Sequence, residues 1–129
     1  MTSSSNTLLV VLGRQGRLRS RSLEIFATEV KNCLFIEPVK IEHASRNDRL
    51  VDERLSEILL GKRLSDQELG CAIAHKNASA AAVITFKNLN ELKWALFVED
   101  DADLDAEMFD IIQDELENLD TKIPALVNY

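Results

Sequence analysis

Hydrophobic residues along this chain fall into continuous apolar runs and into runs with helical spacing. A continuous run predicts a strand that is covered on both faces, and three such runs occupy residues 7–12, 34–36 and 94–98. Pro38 interrupts the second run, which residues 39–41 extend as an edge strand. Residues 125–127 predict one further strand near the last residue.

Apolar residues at spacings of three and four predict helices between these strands. The apolar faces of the first, second and last helices are Leu23, Phe26, Ala27 and Val30; Val51, Leu55, Ile58 and Leu59; and Met108, Ile111, Ile112, Leu116 and Leu119. Gly61 is the expected C-terminal cap of the second helix. Strands that alternate with helices predict an α/β fold with a mainly parallel sheet.

The third predicted helix begins at Ser65 and runs to about Phe86. Ser65 and Glu68 have the spacing of a capping box, in which each side chain binds a free backbone N–H of the first turn. One narrow stripe of the helix carries only small residues, namely Gly70, Ala74, Ala78 and Ala81 or Ala82. Such a stripe allows the helix axis to approach a neighbouring element closely.

Composition adds limits on partners and location. The chain has 129 residues, a net charge of −7 and a pI near 4.8, so it lacks the basic excess that nucleic acids and anionic membranes attract. We predict one domain over residues 1–129, with residues 1–6 as a disordered tail. No apolar run is long enough to span a membrane, and Cys33 and Cys71 form no disulfide framework, so we expect a cytoplasmic protein.

Charge is distributed unevenly along the chain. Residues 99–120 contain 11 acidic residues and no Lys or Arg. A short basic run lies near the other end, at Arg14, Arg17, Arg19 and Arg21. An acidic and a basic region within one small fold would together suit a cation and a polyanionic ligand.

Three of the acidic residues, Glu99, Asp100 and Asp101, directly follow the strongest predicted strand. Ligands of open α/β sheets bind beyond the carboxyl ends of the strands, and a carboxylate cluster there suits Mn²⁺ or Mg²⁺. The alternative is an acidic strand-to-helix turn in which Asp103 or Asp105 caps the next helix. Both interpretations are consistent with the residues alone.

Cys71 and His75 lie one helical turn apart, so they share a face of the third helix. With Cys33 and His43 they would supply enough ligands for zinc, but these spacings match no common zinc module. We expect instead that Cys71 lies in the core and that His75 binds a carbonyl or carboxylate group.

Two segments together resemble a known family. Residues 64–75, Leu-Ser-Asp-Gln-Glu-Leu-Gly-Cys-Ala-Ile-Ala-His, and residues 95–104, Ala-Leu-Phe-Val-Glu-Asp-Asp-Ala-Asp-Leu, are similar to glycosyltransferase family 25. This family includes lipopolysaccharide-biosynthesis galactosyltransferases and has a Gly-Cys-x-x-Ser-His helix followed by a strand that ends in Glu-Asp-Asp. Ala74 stands here in place of the family's serine. Residues 8–23 resemble the family's first strand and arginine-rich loop more faintly.

The resemblance implies a Rossmann-like fold of the GT-A type and an inverting sugar transfer. The expected donor is UDP-galactose, and the expected acceptor is a saccharide of lipopolysaccharide or another surface glycan. The expected location is the cytoplasm, peripheral to the inner membrane. Members of the family are longer, so the chain would correspond to their amino-terminal half, without much of the acceptor site or the catalytic base.

The resemblance also assigns roles to individual residues. Glu99 and Asp101 would hold Mn²⁺ or Mg²⁺ as the counterpart of the family's DXD motif. The nucleotide sugar would be contacted by Arg14, Arg19, Arg21, His75 and Asp100. For the arginines the alternative is a solvated basic turn. For the whole chain, the alternative to an active enzyme is a catalytically inactive, truncated family member that serves as a partner-binding module or forms a homo-oligomer.

Overall fold

Three parallel strands and four helices make up the part of the protein that the computed structural model describes, residues 6–39, 53–62 and 65–119. In chain order they are β1 (Thr7–Leu12), α1 (Arg21–Glu29), β2 (Cys33–Ile36), α2 (Glu53–Leu60), α3 (Asp66–Asn88), β3 (Trp94–Glu99) and α4 (Ala106–Glu117). The predicted α/β class is confirmed. The predictions for residues 1–5, 40–41, 51 and 125–127 lie outside the described residues, and so does His43.

The sheet has the order β2-β1-β3, and both neighbours of β1 run parallel to it. Leu9 and Val11 face one side of β1 and Leu8 and Val10 the other, and all four are fully buried. A central strand has no solvent-facing side, which is why its sequence is apolar throughout rather than alternating. The prediction of a doubly covered strand is therefore confirmed for β1. For β3 it was wrong, because none of its six residues is fully buried and Phe97 is 39% exposed.

Helices α1 and α4 cover the face of the sheet that carries Leu9 and Val11. The rings of Phe26 in α1 and Phe109 in α4 lie 5.0 Å apart between centroids. Such tilted ring pairs stabilise a core beyond the area they bury. Of the α1 residues expected on the apolar face, Leu23, Phe26 and Ala27 are buried there, and Val30, the C-cap residue, is partly buried.

The predicted apolar face of α4 was partly wrong. Phe109, Ile112 and Leu116 are buried, whereas Met108 and Ile111 are 47% and 53% exposed and Leu119 is exposed too. Apolar residues cover more of the surface of α4 than one face, so either of two apolar stripes could have packed against the sheet. The stripe that contains Phe109 did so, because the largest buried side chain packs against Phe26.

Helix α3 covers the opposite face through its stripe of small residues. Gly70, Ala74, Ala78 and Ala82 are buried, and Ala78 and Ala82 pack with Leu8 and Val10 of β1. This confirms the predicted stripe and selects Ala82 over Ala81. The predicted capping box is confirmed as well, and the Ser65 N–H that donates to Glu68 keeps the pKa of that carboxyl below its usual value.

Helix α2 ends as predicted but does not bury its apolar face. The Gly61 N–H binds the Glu57 carbonyl at 2.9 Å, and Gly61 has the positive φ of +72° that a helix cap favours. Ile58, Leu59 and Leu60 are all exposed. An amphipathic pattern shows that a face can be buried, but it does not specify what covers it. None of the helices in the described part of the chain is long and apolar enough to cross a membrane.

Candidate functional site

The candidate site lies where β1 and β3 end side by side. Chain order changes direction at this point, because β2 lies on one side of β1 and β3 on the other. Loops that follow such neighbouring strands diverge and leave a crevice, which is where open α/β sheets bind ligands. Here the two loops at this position are residues 13–20, after β1, and residues 100–105, after β3.

Arg19 and Asp100 form the strongest side-chain contact of the site. The Nε and Nη2 atoms of Arg19 lie 2.9 Å and 2.7 Å from the same oxygen, Oδ1 of Asp100. Nη2 also lies 3.7 Å from Oδ2 of Asp101. The hydrogen bond to Asp100 raises the pKa of Arg19, and the charges of Asp100 and Asp101 raise it further. The side chain of Arg19 is 68% exposed and that of Asp100 is 23% exposed.

The backbone holds the same two loops together. The N–H of Ser20 donates to the carbonyl of Asp100 at 2.8 Å, and the N–H of Gly13 donates to the carbonyl of Ile36 at 2.9 Å. Gly16, with a φ of +83°, turns the loop between these two bonds. The loop after β1 is therefore tied to the strand ends on both sides of it.

Two serines at the start of α1 face the acidic turn. The Ser20 hydroxyl accepts from the N–H of Leu23 and so caps α1. The Ser22 hydroxyl donates to Asp103 at 2.8 Å. On the other side of the turn, Asp105 accepts from the N–H of Met108 and caps α4, which confirms the capping alternative for Asp105. Because Arg19 holds Asp100, Glu99 and Asp101 are the carboxylates that remain for a ligand.

His75 reaches the site from α3. Its Nε2 atom lies 3.9 Å from Oε1 of Glu99, and both side chains are exposed. The expectation that Cys71 lies in the core was wrong, because Cys71 is exposed. The helix turns Gly70 and Ala74 toward the sheet, and this rotation carries Cys71 outward. Cys33 is half-buried, and burial raises the pKa of its thiol to about 11.

The predicted arginines do not all meet the acidic turn. Arg19 does, whereas the Nε atom of Arg14 lies 3.2 Å from Oε1 of Glu37, which follows β2. Arg21 is the exposed first residue of α1, and no ion pair joins it to residues 99–105. The structure thus brings together Arg19, Asp100 and Asp101, with Glu99 and His75 beside them.

The site offers carboxylate oxygens as ligands for a metal ion, but not a complete coordination shell of protein ligands. Within residues 6–39, 53–62 and 65–119, no group of three or more His, Cys, Asp or Glu side chains is arranged around a metal position. Mg²⁺ and Mn²⁺ are commonly held by one or two carboxylates, with water and phosphate as the remaining ligands. Glu99 and Asp101 have exposed carboxylates of this kind, while Asp100 is held by Arg19.

Sequence reasoning missed Gly13, Ser20 and Ser22. Gly13 follows β1 directly, and a glycine at the end of the central strand of a parallel sheet is a usable signal of close loop approach. Ser20 stands one residue before the first helical position, which is the usual place of an N-cap. The contact of Ser22 with Asp103 joins residues 81 positions apart, and no local pattern predicts it.

Comparisons with protein-family models, with curated proteins and with solved structures found no match for this chain. The α/β architecture follows from the described strands and helices.

Proposed function

We propose that the protein binds a nucleoside-diphosphate sugar between the loop after β1 and the acidic turn after β3, and that it is a glycosyltransferase. The observation that carries the proposal is the position of Arg19. Its guanidinium lies beside Asp100 and Asp101 at the carboxyl ends of two neighbouring strands. A cationic fork and free carboxylates at one edge of a parallel sheet suit a diphosphate with its counter-ion.

Arg19 would bind the diphosphate. Its planar guanidinium offers paired N–H donors that match phosphate oxygens, and its neighbours keep the group charged. Most of the side chain is exposed, so a ligand can reach it without unfolding of the loop. Asp100 would orient the guanidinium by holding two of its nitrogens.

Glu99 and Asp101 would hold the divalent cation, Mn²⁺ or Mg²⁺, and this ion when bound would neutralise charge on the departing diphosphate. Both carboxylates are exposed at the carboxyl end of β3. His75 lies close enough to Glu99 to orient that carboxylate or to contact the nucleotide sugar. None of the described residues is assigned as the base that takes the acceptor proton.

The donor and acceptor rest on the resemblance to glycosyltransferase family 25. They are UDP-galactose and a saccharide of lipopolysaccharide or another surface glycan, with inversion at the transferred sugar. A GT-A-type domain and a location at the cytoplasmic side of the inner membrane belong to the same proposal. The described three-stranded sheet and its flanking helices are compatible with such a domain.

Calorimetry with UDP in the presence of Mn²⁺ tests the proposal. Arg19→Gln and Asp101→Asn should each weaken UDP binding by about tenfold or more, since each removes a charged contact to the ligand or its cation. Lys31→Gln and Asp110→Asn are matched controls, because both residues are exposed and lie outside the two loops of the proposed site. Wild-type protein that binds no UDP, or equal affinities for site and control variants, would rule out the proposed site.

A second candidate function, a noncatalytic partner-binding module, is favoured by the surface of α2. Three consecutive apolar side chains, Ile58, Leu59 and Leu60, are exposed on this short helix. Apolar patches of this kind commonly mark interaction surfaces. Binding of UDP-galactose with slow hydrolysis of the sugar would support the enzyme, whereas a fully folded chain that binds no nucleotide sugar would support the module.

A further inference from the structure

Arg19 interacts with all three carboxylates of residues 99–101. Two of its nitrogens lie 2.9 Å and 2.7 Å from Oδ1 of Asp100, and Nη2 also lies 3.7 Å from Oδ2 of Asp101. The hydrogen bond to Asp100 is the main cause of the raised pKa of Arg19, and the charges of Asp100, Asp101 and Glu99 add to it. A positive charge is therefore already present at the acidic end of β3.

This positive charge lies where a divalent cation is proposed to bind. Oδ1 of Asp100 accepts from two nitrogens of Arg19, so the guanidinium group already holds that carboxylate. Because Nη2 is 3.7 Å from the Asp101 carboxylate, a cation bound to Asp101 would lie within the screening length of about 8 Å at physiological salt. Like charges repel at such separations, so Arg19 and the cation would compete for the same oxygens.

We propose that Arg19 is an internal counter-ion of the acidic turn and that it weakens the binding of a free divalent cation to Glu99 and Asp101. The inference rests on the proposed function for the identity of the cation and of the diphosphate. The exposure of Arg19 suits this role. Its side chain is 68% exposed, so the guanidinium group can leave the carboxylates without unfolding of the loop.

A diphosphate would reverse the effect of Arg19. The negative charges of a diphosphate attract the guanidinium group and a divalent cation alike, so the two positive groups would bind one anion instead of competing for Asp100 and Asp101. Binding of the diphosphate then favours binding of the cation, and thermodynamic linkage makes this effect reciprocal. The protein would therefore take up the cation together with the diphosphate rather than before it.

The alternative is that Arg19 only fastens the two loops to each other. Other contacts join the same loops without its side chain. The N–H of Ser20 donates to the carbonyl of Asp100 at 2.8 Å, and the Ser22 hydroxyl donates to Asp103 at 2.8 Å. If the role of Arg19 were purely structural, its removal would weaken cation binding and nucleotide binding together. Removal of an internal counter-ion should instead tighten cation binding and weaken nucleotide binding.

Electron paramagnetic resonance of Mn²⁺, recorded without nucleotide, tests the inference. Arg19→Gln should lower the dissociation constant of Mn²⁺ about fivefold or more, because it removes the competing charge and frees Asp100. The double variant Arg19→Gln/Asp101→Asn should lose this gain, which would locate the tighter binding at the acidic turn. Lys31→Gln is the matched control, since it removes the same charge from an exposed residue outside the two loops. Its affinity for Mn²⁺ should equal that of the wild type.

Two results would overturn the inference. The first is an Arg19→Gln variant that binds Mn²⁺ no more tightly than the wild type. The second is a Lys31→Gln variant with the same gain as Arg19→Gln, since the gain would then reflect the net charge of the protein. Circular dichroism shows whether each variant is folded, and the exposure of Arg19 and Lys31 favours that outcome.

The same variants separate this inference from the proposed function. Tighter Mn²⁺ binding by Arg19→Gln in a protein that binds no UDP would support the role of Arg19 toward the cation and exclude the nucleotide site. Weaker UDP binding by Arg19→Gln with unchanged affinity for Mn²⁺ alone would support the nucleotide site and exclude the counter-ion role.

Discussion

Gly13 and Asp100 approach each other so closely that no side chain fits between them. A Cβ atom added at Gly13 would lie 2.7 Å from Cβ of Asp100 and 2.8 Å from Cδ2 of Leu18. The glycine thus allows the loop after β1 to touch the turn after β3. The Arg19 ion pair and the Ser20 backbone hydrogen bond both form across this contact.

Replacing Gly13 with alanine should therefore destabilise the fold. The added methyl group meets the first side-chain atom of Asp100, which cannot move without the backbone, and overpacking of this kind costs about 1–3 kcal/mol. Urea denaturation measures the loss. Gly16→Asn is the control, because that position is open and asparagine tolerates a positive φ. Equal stabilities of Gly13→Ala and the wild type would show that the two loops are not in contact.

Among the residues of α4, Phe109 should cause the largest loss of stability when it is replaced by alanine. It is fully buried against Phe26, so Phe109→Ala should lower the free energy of unfolding by about 3–5 kcal/mol. Met108 is about half exposed, and Met108→Ala should cost much less. Denaturant unfolding of both variants shows which face of α4 packs on the sheet. A larger loss of stability for Met108→Ala than for Phe109→Ala would support the face that was predicted from the sequence.

The stripe of small residues on α3 should tolerate no large side chain. Ala78 has no exposed surface and packs against β1, so Ala78→Leu should destabilise the fold by about 1–3 kcal/mol. Ala80 lies on the exposed side of the same helix, where leucine fits without displacement of neighbours. Thermal unfolding of the two variants compares them directly. Similar melting temperatures would mean that α3 does not lie close to the sheet.

The two cysteines should react with thiol reagents at very different rates. Burial raises the pKa of the Cys33 thiol from its usual value of about 9 to about 11, so at pH 8 its thiolate fraction is about 100-fold below that of an ordinary thiol. Cys71 is exposed. Labelling with a chromogenic disulfide should show one fast thiol, and Cys71→Ser should abolish the fast phase. Loss of that phase in Cys33→Ser instead would contradict the assignment.

The same shift makes stability depend on alkaline pH. Because the pKa of Cys33 is higher in the folded protein, the unfolded chain releases the thiol proton first. The contribution is complete below pH 9 and is lost as pH rises through about 11. Urea unfolding at several pH values should therefore show a steeper alkaline decline for the wild type than for Cys33→Ala. Parallel curves would argue that Cys33 is not buried.

Local patterns were sufficient for the elements that the structure describes. The apolar run of β1 predicts a strand covered on both faces, and the Ser65 and Glu68 spacing predicts the start of α3, because both depend on neighbours within a few residues. The side that α4 turns inward was not predictable in this way. Two overlapping apolar stripes compete there, and only the position of Phe26 on another helix decides between them.

For the candidate site too, local patterns predicted one part and tertiary contacts decided another. Its position beyond the end of β3 could be predicted, since acidic residues directly follow an apolar strand and parallel strands end at one edge. Which arginine meets those carboxylates could not, because Arg14, Arg19 and Arg21 are equally basic in the sequence. Tertiary structure decided in favour of Arg19. Gly13 lets the two loops touch, and Glu37 takes Arg14 away to the neighbouring strand.

The sequence by itself determined the alternation of strands and helices, the small-residue stripe and the acidic end of β3. Each of these follows from spacing along the chain, which sets which side chains share a face. Only the tertiary structure decided which faces meet and which arginine pairs with Asp100. These outcomes depend on contacts between residues far apart in the chain, where shape and close packing choose among patterns that are locally equivalent.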